Sequence, residues 1–548
     1  MDTNDINFDP RTIEASEQTP VVSMLLSVID KLNNQLQQQA ERLAKQSDKI
    51  DLLLIEMRRL KKLSGKPKLR ASTLPKERAD KDDEPPAGTS ANVDFKRPGS
   101  SKRSKNKNLK IDKEEIIGVV DVPSGSLRKG YQDYIIQDLI IKPIVTRYRL
   151  ERWQLPDGSS IIASLPRELQ GHHFGPILRA YILHQHHHQC VTQPLLRGQL
   201  LEWGIDISTG QLNRLLTENK EDFHSEKASI LSVGLSSSRY IQVDDTGARH
   251  KGKNGYCTFI GNELFSWFAS TGSKSRINFL ELLHEGHTDY RLTDESYAYM
   301  KRYKVAPWLR NKLIEASERL FVNKELFEAH LNTLNITPHY RRLITEAALI
   351  GSILSHGFSL DTVILSDDAG QFNVLLHALC WIHAERGIKS LLASNDIQTK
   401  AIDWARNEIW EIYKALRDYK RSPNQQVKIA ITKRFDDLCK TKTDYHLLNL
   451  ALRRLYSNKN ELLLVLERPD IPLHNNLSER DIREYVKRRK ISGSTRSDEG
   501  RRCRDTFASL KKTAIKMGIG FWDYLTDRLT KKYSIPNLDQ LIISTAYK

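Results

Sequence analysis

Near Val21 the apolar residues fall into a narrow stripe. Leu25, Ile29, Leu32 and Leu36 are followed by Leu43, Ile50, Leu53, Met57 and Leu60, in alternating steps of four and three, with Gln39 and Gln46 in the two polar seam positions. Such spacing keeps one seam facing a partner helix. Residues 21–63 are therefore expected to form a coiled coil joining the chain to further copies, as a homodimer or a higher oligomer. Gln and Lys elsewhere leave the stripe little else to bury it. Residues 1–20 are expected to be a disordered tail.

At Ser64 the stripe stops. Between Arg58 and Lys110 stand 17 Lys/Arg and 6 Asp/Glu, a net of +11. Too few apolar residues remain to build a core, so residues 64–112 read as a basic flexible linker, either solvated or tracking a phosphate backbone.

Residues 113–165 read as β-rich. Ile135-Ile136, Leu139-Ile140-Ile141 and Thr146-Tyr148-Leu150 predict short strands, and Leu155-Pro156-Asp157-Gly158 a hairpin turn. Helical spacing takes over at 166–235, where a short turn and a Ser208-Thr209 cap precede Gln211–Leu216 in a helix-turn-helix-like pattern that suits DNA binding. The same stretch carries His184, His186, His187, His188 and Cys190. His184 and His188 lie one helical turn apart, but with no second ligand pair the run reads as a polar helix face rather than a zinc site.

A strand signal follows at Arg239–Val243, which runs into Asp244-Asp245-Thr246, and two further strands are expected at Tyr256–Ile260 and Leu264–Phe268. Short turns between the three predict an antiparallel meander. A helical stretch follows from about Ile277 to His356. Thr362–Leu365 is then fully apolar, as expected of a strand buried on both faces, and it ends in Ser366-Asp367-Asp368. A helix is expected over Leu375, Leu376, Leu379, Trp381 and Ile382. After another helical stretch, His474-Asn475-Asn476-Leu477-Ser478-Glu479-Arg480 opens a basic helix with Arg483, Lys487, Arg488, Arg489 and Lys490. The pattern predicts an α/β domain over 236–535, a mixed sheet with large helical insertions near 280–350 and 385–470, and a C-terminal tail at 536–548.

Composition narrows the partners. With 85 Lys+Arg against 68 Asp+Glu, the 548-residue chain carries +17. That surplus favours a polyanion, because each neutralised phosphate releases a counterion. Five scattered cysteines without a CxxC pair read as reduced, intracellular thiols. The polar N-terminus does not resemble a signal peptide, and no apolar run approaches the ~20 residues of a membrane span. The expectation is a soluble, cytoplasmic protein with no membrane partner.

Two acid pairs at the ends of strands suit a divalent cation, since converging negative charge is costly until a metal neutralises it. A third acid completes a site for two ions, which clamp the attacking and leaving oxygens of a displacement. Within each pair, Asp244 or Asp245 and Asp367 or Asp368, spacing leaves the choice open.

At these residues the chain resembles the insertion sequence 66 transposase family, a bacterial group with an RNase H-like catalytic core. The likeness is carried by the coiled coil, by Asp244-Asp245-Thr246, by Asp367 with Cys380-Trp381-Ile382-His383-Ala384, and by the block from His474 to Leu525 with its Asn-Asn…Glu-Arg…Arg and Ser-Asp-Glu-Gly pattern. The resemblance implies a DDE transposase whose metal-binding and catalytic acids are Asp244, Asp367 and Glu479. Asp367 is preferred because Phe372, five residues on, matches a family tyrosine. It further implies two Mg²⁺ or Mn²⁺ ions, double-stranded DNA as partner (transposon ends and target), and a nucleoid-associated location. Arg480, Arg483, Lys487, Arg488 and Arg496 would hold backbone phosphates, and His383 lies near enough in sequence to reach the scissile region. The family usually carries a Cys-rich zinc-binding element after the coiled coil; here no cysteine precedes Cys190, and residues 113–165 would keep its shape without its metal. Two alternatives stay open: a non-catalytic, dimeric DNA-binding protein derived from a transposase, and an RNase H-like nuclease.

Overall fold

The computed structural model describes residues 19–25, 27–29, 31–32, 34–36, 38–39, 110–118 and 120–546. Most of the expected coiled coil and basic linker, and residues 1–18 of the expected tail, lie outside them. Described residues from 20 to 39 are helical, and Leu25, Ile29, Leu32 and Leu36 are exposed on them.

The chain divides into two units. In the unit of residues 56–144, the described residues form no helix or strand. The strands expected at Ile135-Ile136 and Leu139–Ile141 are absent, as is the one at Thr146–Leu150 in the other unit. Ile136, Leu139 and Ile140 are exposed. A β-branched run becomes a strand only where a neighbour pairs with it and a face is buried, and among the described residues neither condition is met. What survives of the β-rich expectation is one hairpin, β1 (Arg152–Gln154) and β2 (Ser160–Ile162), closed by the Leu155 amide donating to the Ser159 carbonyl at 2.8 Å.

In the larger unit, four helices stand between β2 and the main sheet: α1 (Pro176–His187), α2 (Gln193–Glu202), α3 (Thr209–Thr217) and α4 (Glu221–Ser236). Ser208 caps α3, accepting from the Gln211 amide at 3.1 Å while Gln211 Oε1 accepts from the Ser208 amide at 3.0 Å. A cap of this kind contributes about 1 kcal/mol.

The sheet follows. β3 (Tyr240–Gly247), β4 (Tyr256–Gly261) and β5 (Ser266–Thr271) form the antiparallel meander that the short turns between them predict. The first insertion comes next: α5 (Arg276–Leu283), β6 (Tyr290–Arg291), α6 (Asp294–Arg302), α7 (Pro307–Glu315), β7 (Leu320–Phe321), α8 (Lys324–Thr333) and α9 (Pro338–Ser355). β8 (Val363–Ser366) and β9 (Leu376–Leu379) then add to β3 in parallel, giving the five-strand order β5-β4-β3-β8-β9. The helix expected from Leu375 begins only at Trp381. Leu376–Leu379 is too short an apolar run for periodicity to separate strand from helix, and pairing with β8 decides it.

The second insertion holds α10 (Trp381–Lys389), α11 (Asp396–Arg421), α12 (Gln425–Lys440), α13 (His446–Ser457) and α14 (Lys459–Leu462). The chain closes with α15 (Asn476–Ser492), α16 (Asp498–Lys516), α17 (Phe521–Leu529) and α18 (Leu538–Ala546). The last corrects the expectation of a tail. Leu538 and Ile542, one turn apart, are fully buried, and the Leu538 amide donates to Glu226 Oε1 at 2.9 Å. No described helix is long and apolar enough to cross a membrane.

Both faces of the sheet are covered. On β8, Ile364 joins a core shared with α1–α4, the first insertion and α16–α18, whereas Val363 and Leu365 join a second core built by α10–α13. Each such buried side chain contributes roughly 1.5–3 kcal/mol. The helix-turn-helix-like residues 166–235 therefore share one core with the sheet instead of standing apart. At the sheet's edge, β5 turns alternate amides outward. Those of Ser266, Phe268 and Ser270 are met by Thr513 Oγ1, Ser509 Oγ and Asp505 Oδ2 of α16 at 3.1, 2.9 and 2.8 Å. Strand period two thus meets helix period four, and these three amides are not free to pair with another chain.

Candidate active site

β3 and β8 run parallel with Tyr240 opposite Val363, Ile241 opposite Ile364 and Gln242 opposite Leu365. Continued by two residues, that register sets Asp244 level with Asp367. Neighbouring strands lie about 4.8 Å apart, and residues level with each other point to the same face. The two acids are thus brought side by side from positions far apart in the chain. Asp245 and Asp368, one residue on, are directed elsewhere and are both paired with cations. Asp245 meets the Lys274 ammonium and accepts from Gln371 Nε2 at 2.7 Å. Asp368 meets Arg454 Nη2 at 2.6 Å. Asp244 and Asp367, by contrast, are held by backbone amides, of Asp245 at 2.7 Å and Ala369 at 3.2 Å.

Glu479 arrives on the first turn of α15, which packs across β3 and β4. Leu477, Ile482 and Tyr485 bury against Phe259 and Phe268, and the Ser478 amide donates to Gln242 Oε1 at 3.2 Å, pinning the helix start to β3. The Glu479 carboxylate accepts from Arg386 at 2.8 Å and Arg483 at 3.2 Å, and lies 3.4 Å from His383 Nε2. Asp244, Asp367 and Glu479 share one electrostatic neighbourhood without forming a closed ligand cage; their oxygens are not all within 4.8 Å of one another.

The cost of this arrangement appears at Asp244. Burial, then the charges of Asp367, Asp245 and Glu479, push its carboxyl up to about 7, against the lowering effect of the Asp245 amide. Burial also raises Asp367, opposed by His383. The donors that meet here are hard carboxylate oxygens; among the described residues Asp244 has no cation of its own, while Glu479 already carries Arg386 and Arg483. Three carboxylates fit Mg²⁺ or Mn²⁺ better than they fit a thiolate- or imidazole-seeking metal. A cavity of about 680 Å³, lined by Asp367, Asp368, His383 and Arg454 among others, opens beside the acids.

With the site in view, comparisons with known proteins become informative. The chain is 45% identical over 303 residues to the uncharacterized protein y4jO of Sinorhizobium fredii, a match covering 55% of this chain and 94% of y4jO. Residues 346–502 match the Transposase IS66 family. The chain belongs to the IS66 transposase family. The matched segment holds Asp367, Glu479 and α15, while Asp244 precedes it.

Of the cations that IS66 resemblance assigns to DNA, Arg480, Arg483, Lys487 and Arg496 are exposed. Arg488 is not. It is 7% exposed and donates to the His186 carbonyl on α1. Helical period explains the correction: Asp481, Tyr485 and Arg488 share the buried face of α15, and Arg480, Arg483 and Lys487 the open one. His184 and His188 stack at 4.7 Å and pack against Phe521 of α17, an aromatic seam joining two helices. Sequence reading missed Lys274, Gln371 and Arg386. For Arg386 a signal existed, since it follows His383 by three and so shares its helix face.

Proposed function

We propose that this IS66-family protein is a DDE transposase that cleaves transposon ends and joins them to target DNA, on a sheet of RNase H-like design. The order β5-β4-β3-β8-β9, antiparallel then parallel, supports that design. The observation that carries the reading is the common register of Asp244 and Asp367, with Glu479 beside them and Asp244 left without a cation. Asp244, Asp367 and Glu479 would hold two Mg²⁺ or Mn²⁺ ions. When bound, the ions supply charge neutralisation and Lewis-acid activation for an in-line displacement at phosphorus.

The chain's own groups do the positioning. Asp245 and Asp368, paired with Lys274 and Arg454, would shape the walls of the site. Arg386 and Arg483, already on Glu479, stand where a scissile phosphate enters. Arg480, Lys487 and Arg496 would track the DNA backbone, contacts that fix register without reading sequence. The exposed Leu25–Leu36 stripe would pair with a second copy and so bring two DNA ends together.

Glu479→Gln is the direct test, with terminal-repeat oligonucleotides as substrate. Cleavage and strand transfer should fall on the order of 10³-fold or more with DNA affinity retained. Normal strand transfer by a folded Glu479→Gln protein refutes the mechanism.

A further inference from the structure

A second cluster of potential ligands lies in the first insertion, sharing no residue with the acids. His284 caps the C-terminus of α5, His356 caps the C-terminus of α9, and Asp289 precedes β6. Asp289 Oδ1 lies 3.3 Å from His284 Nε2 and 2.7 Å from His356 Nε2, and the three ligand atoms all fall within 4.8 Å of one another. Among the described residues, no other group of three His, Cys, Asp or Glu is gathered this tightly. We propose that His284, Asp289 and His356 form a site for one borderline divalent ion of the Zn²⁺ class, which braces the insertion.

Three features beyond the ligands support it. Zinc bonds of about 2.0–2.1 Å put neighbouring tetrahedral ligands roughly 3.3 Å apart, the spacing already present between His284 and Asp289, and His356, now at 2.7 Å from Asp289, has only to move outward slightly. The carboxylate is oriented from behind, as ligating groups are: Asp289 Oδ2 accepts from Ser352 Oγ at 2.8 Å and Arg291 Nε at 2.6 Å, leaving Oδ1 to face the imidazoles. Two helix C-termini also converge here, and the negative ends of their dipoles favour a cation. The backbone is shaped to permit the meeting. Gly351 lets α9 approach β6 so closely that a Cβ there would overlap Ser296 Oγ and the Arg291 carbonyl. Side-chain exposure rises from 3% at His284 through 14% at Asp289 to 25% at His356, which provides an entry path. On the exposed side of the cluster His287 stacks on His356, their ring centroids 3.6 Å apart.

Two imidazoles and one carboxylate select zinc, cobalt or nickel over magnesium, whereas the all-carboxylate centre selects the reverse. This separates the two sites experimentally. The chelator-stripped full chain would be dialysed against Zn²⁺ in excess Mg²⁺, and bound zinc measured per folded chain; Co²⁺ would then be substituted and its visible spectrum recorded. One zinc per chain and tetrahedral cobalt bands are expected. His356→Ala, at the open end of the cluster, and Asp289→Asn should each weaken uptake at least about tenfold and remove the bands, while Asp244→Asn leaves both intact. A folded wild-type chain that takes up no zinc overturns the proposal. So does uptake unchanged by His356→Ala, which would place the ion elsewhere, for instance on the histidines of α1.

Discussion

Asp244 and Asp481 are both carboxylates folded against the same β-meander, and they are treated in opposite ways. Asp481 is 2% exposed on α15, two residues from Glu479. Lys516 reaches it at 2.8 Å, Lys512 at 3.4 Å, and Ser266 Oγ donates at 2.7 Å. Burial would raise its carboxyl, but the two lysines outweigh burial and hold it below the ordinary range. Asp244 receives one backbone amide, and the charges that act on it most are other acids. The contrast teaches that this fold is able to neutralise a buried acid when it has only to hold the structure together. Around Asp244 it withholds that neutralisation, which is the condition a divalent cation relieves.

The contrast is broken most directly at Asp481. Asp481→Ala would leave Lys516 buried without its ion-pair partner, and removal of one partner of such a pair costs about 3–5 kcal/mol. Urea denaturation should show that loss, and a change below about 1 kcal/mol would mean that Asp481 is no structural anchor.

Asp244→Asn should act in the other direction, and only at high pH. The folded carboxyl titrates near 7 and the ordinary value is 3.8, so between these the folded chain keeps a proton that the unfolded chain has lost. Stability therefore falls as pH rises from about 4 to about 7, and the full penalty, on the order of 4 kcal/mol, is present above that window. In metal-free buffer Asp244→Asn should be the more stable protein at pH 8, and the two should converge near pH 4. Parallel stability curves across the range would remove the frustration argument.

The smallest effect sharpens the reading of α15. Replacing Arg480, Arg483, Lys487 or Arg496 by Ala should reduce the slope of log affinity for DNA against log salt by about 1 each. Arg488→Ala should lower the melting temperature and leave the slope unchanged, because its partner is the His186 carbonyl. A changed slope in that variant would return Arg488 to the surface.

Local pattern carried much of the fold. Short β-branched and aromatic runs between turns marked β3 to β5, the apolar run marked β8 as buried on both sides, and Ser208 marked the start of α3. Each depends on near neighbours in the chain, which a sequence displays. Where an element depends on a distant partner, pattern misled: β9 exists because β8 is beside it, and Ile135 to Leu150 form no strand because no described residue pairs with them. Helix α18 was missed for the same reason: Leu538 and Ile542 gain a core only once α4 lies against them.

The sequence by itself determined which acids end strands, which helix is basic, and the family to which they belong. Only the tertiary structure decided which acid of each pair faces the other, because that follows from the register of β3 on β8. It alone sent Arg488 inward and gathered His284, Asp289 and His356 from opposite ends of an insertion. Register and packing are relations between distant segments. They are set by burying both faces of one sheet at once, and no window of the chain contains them.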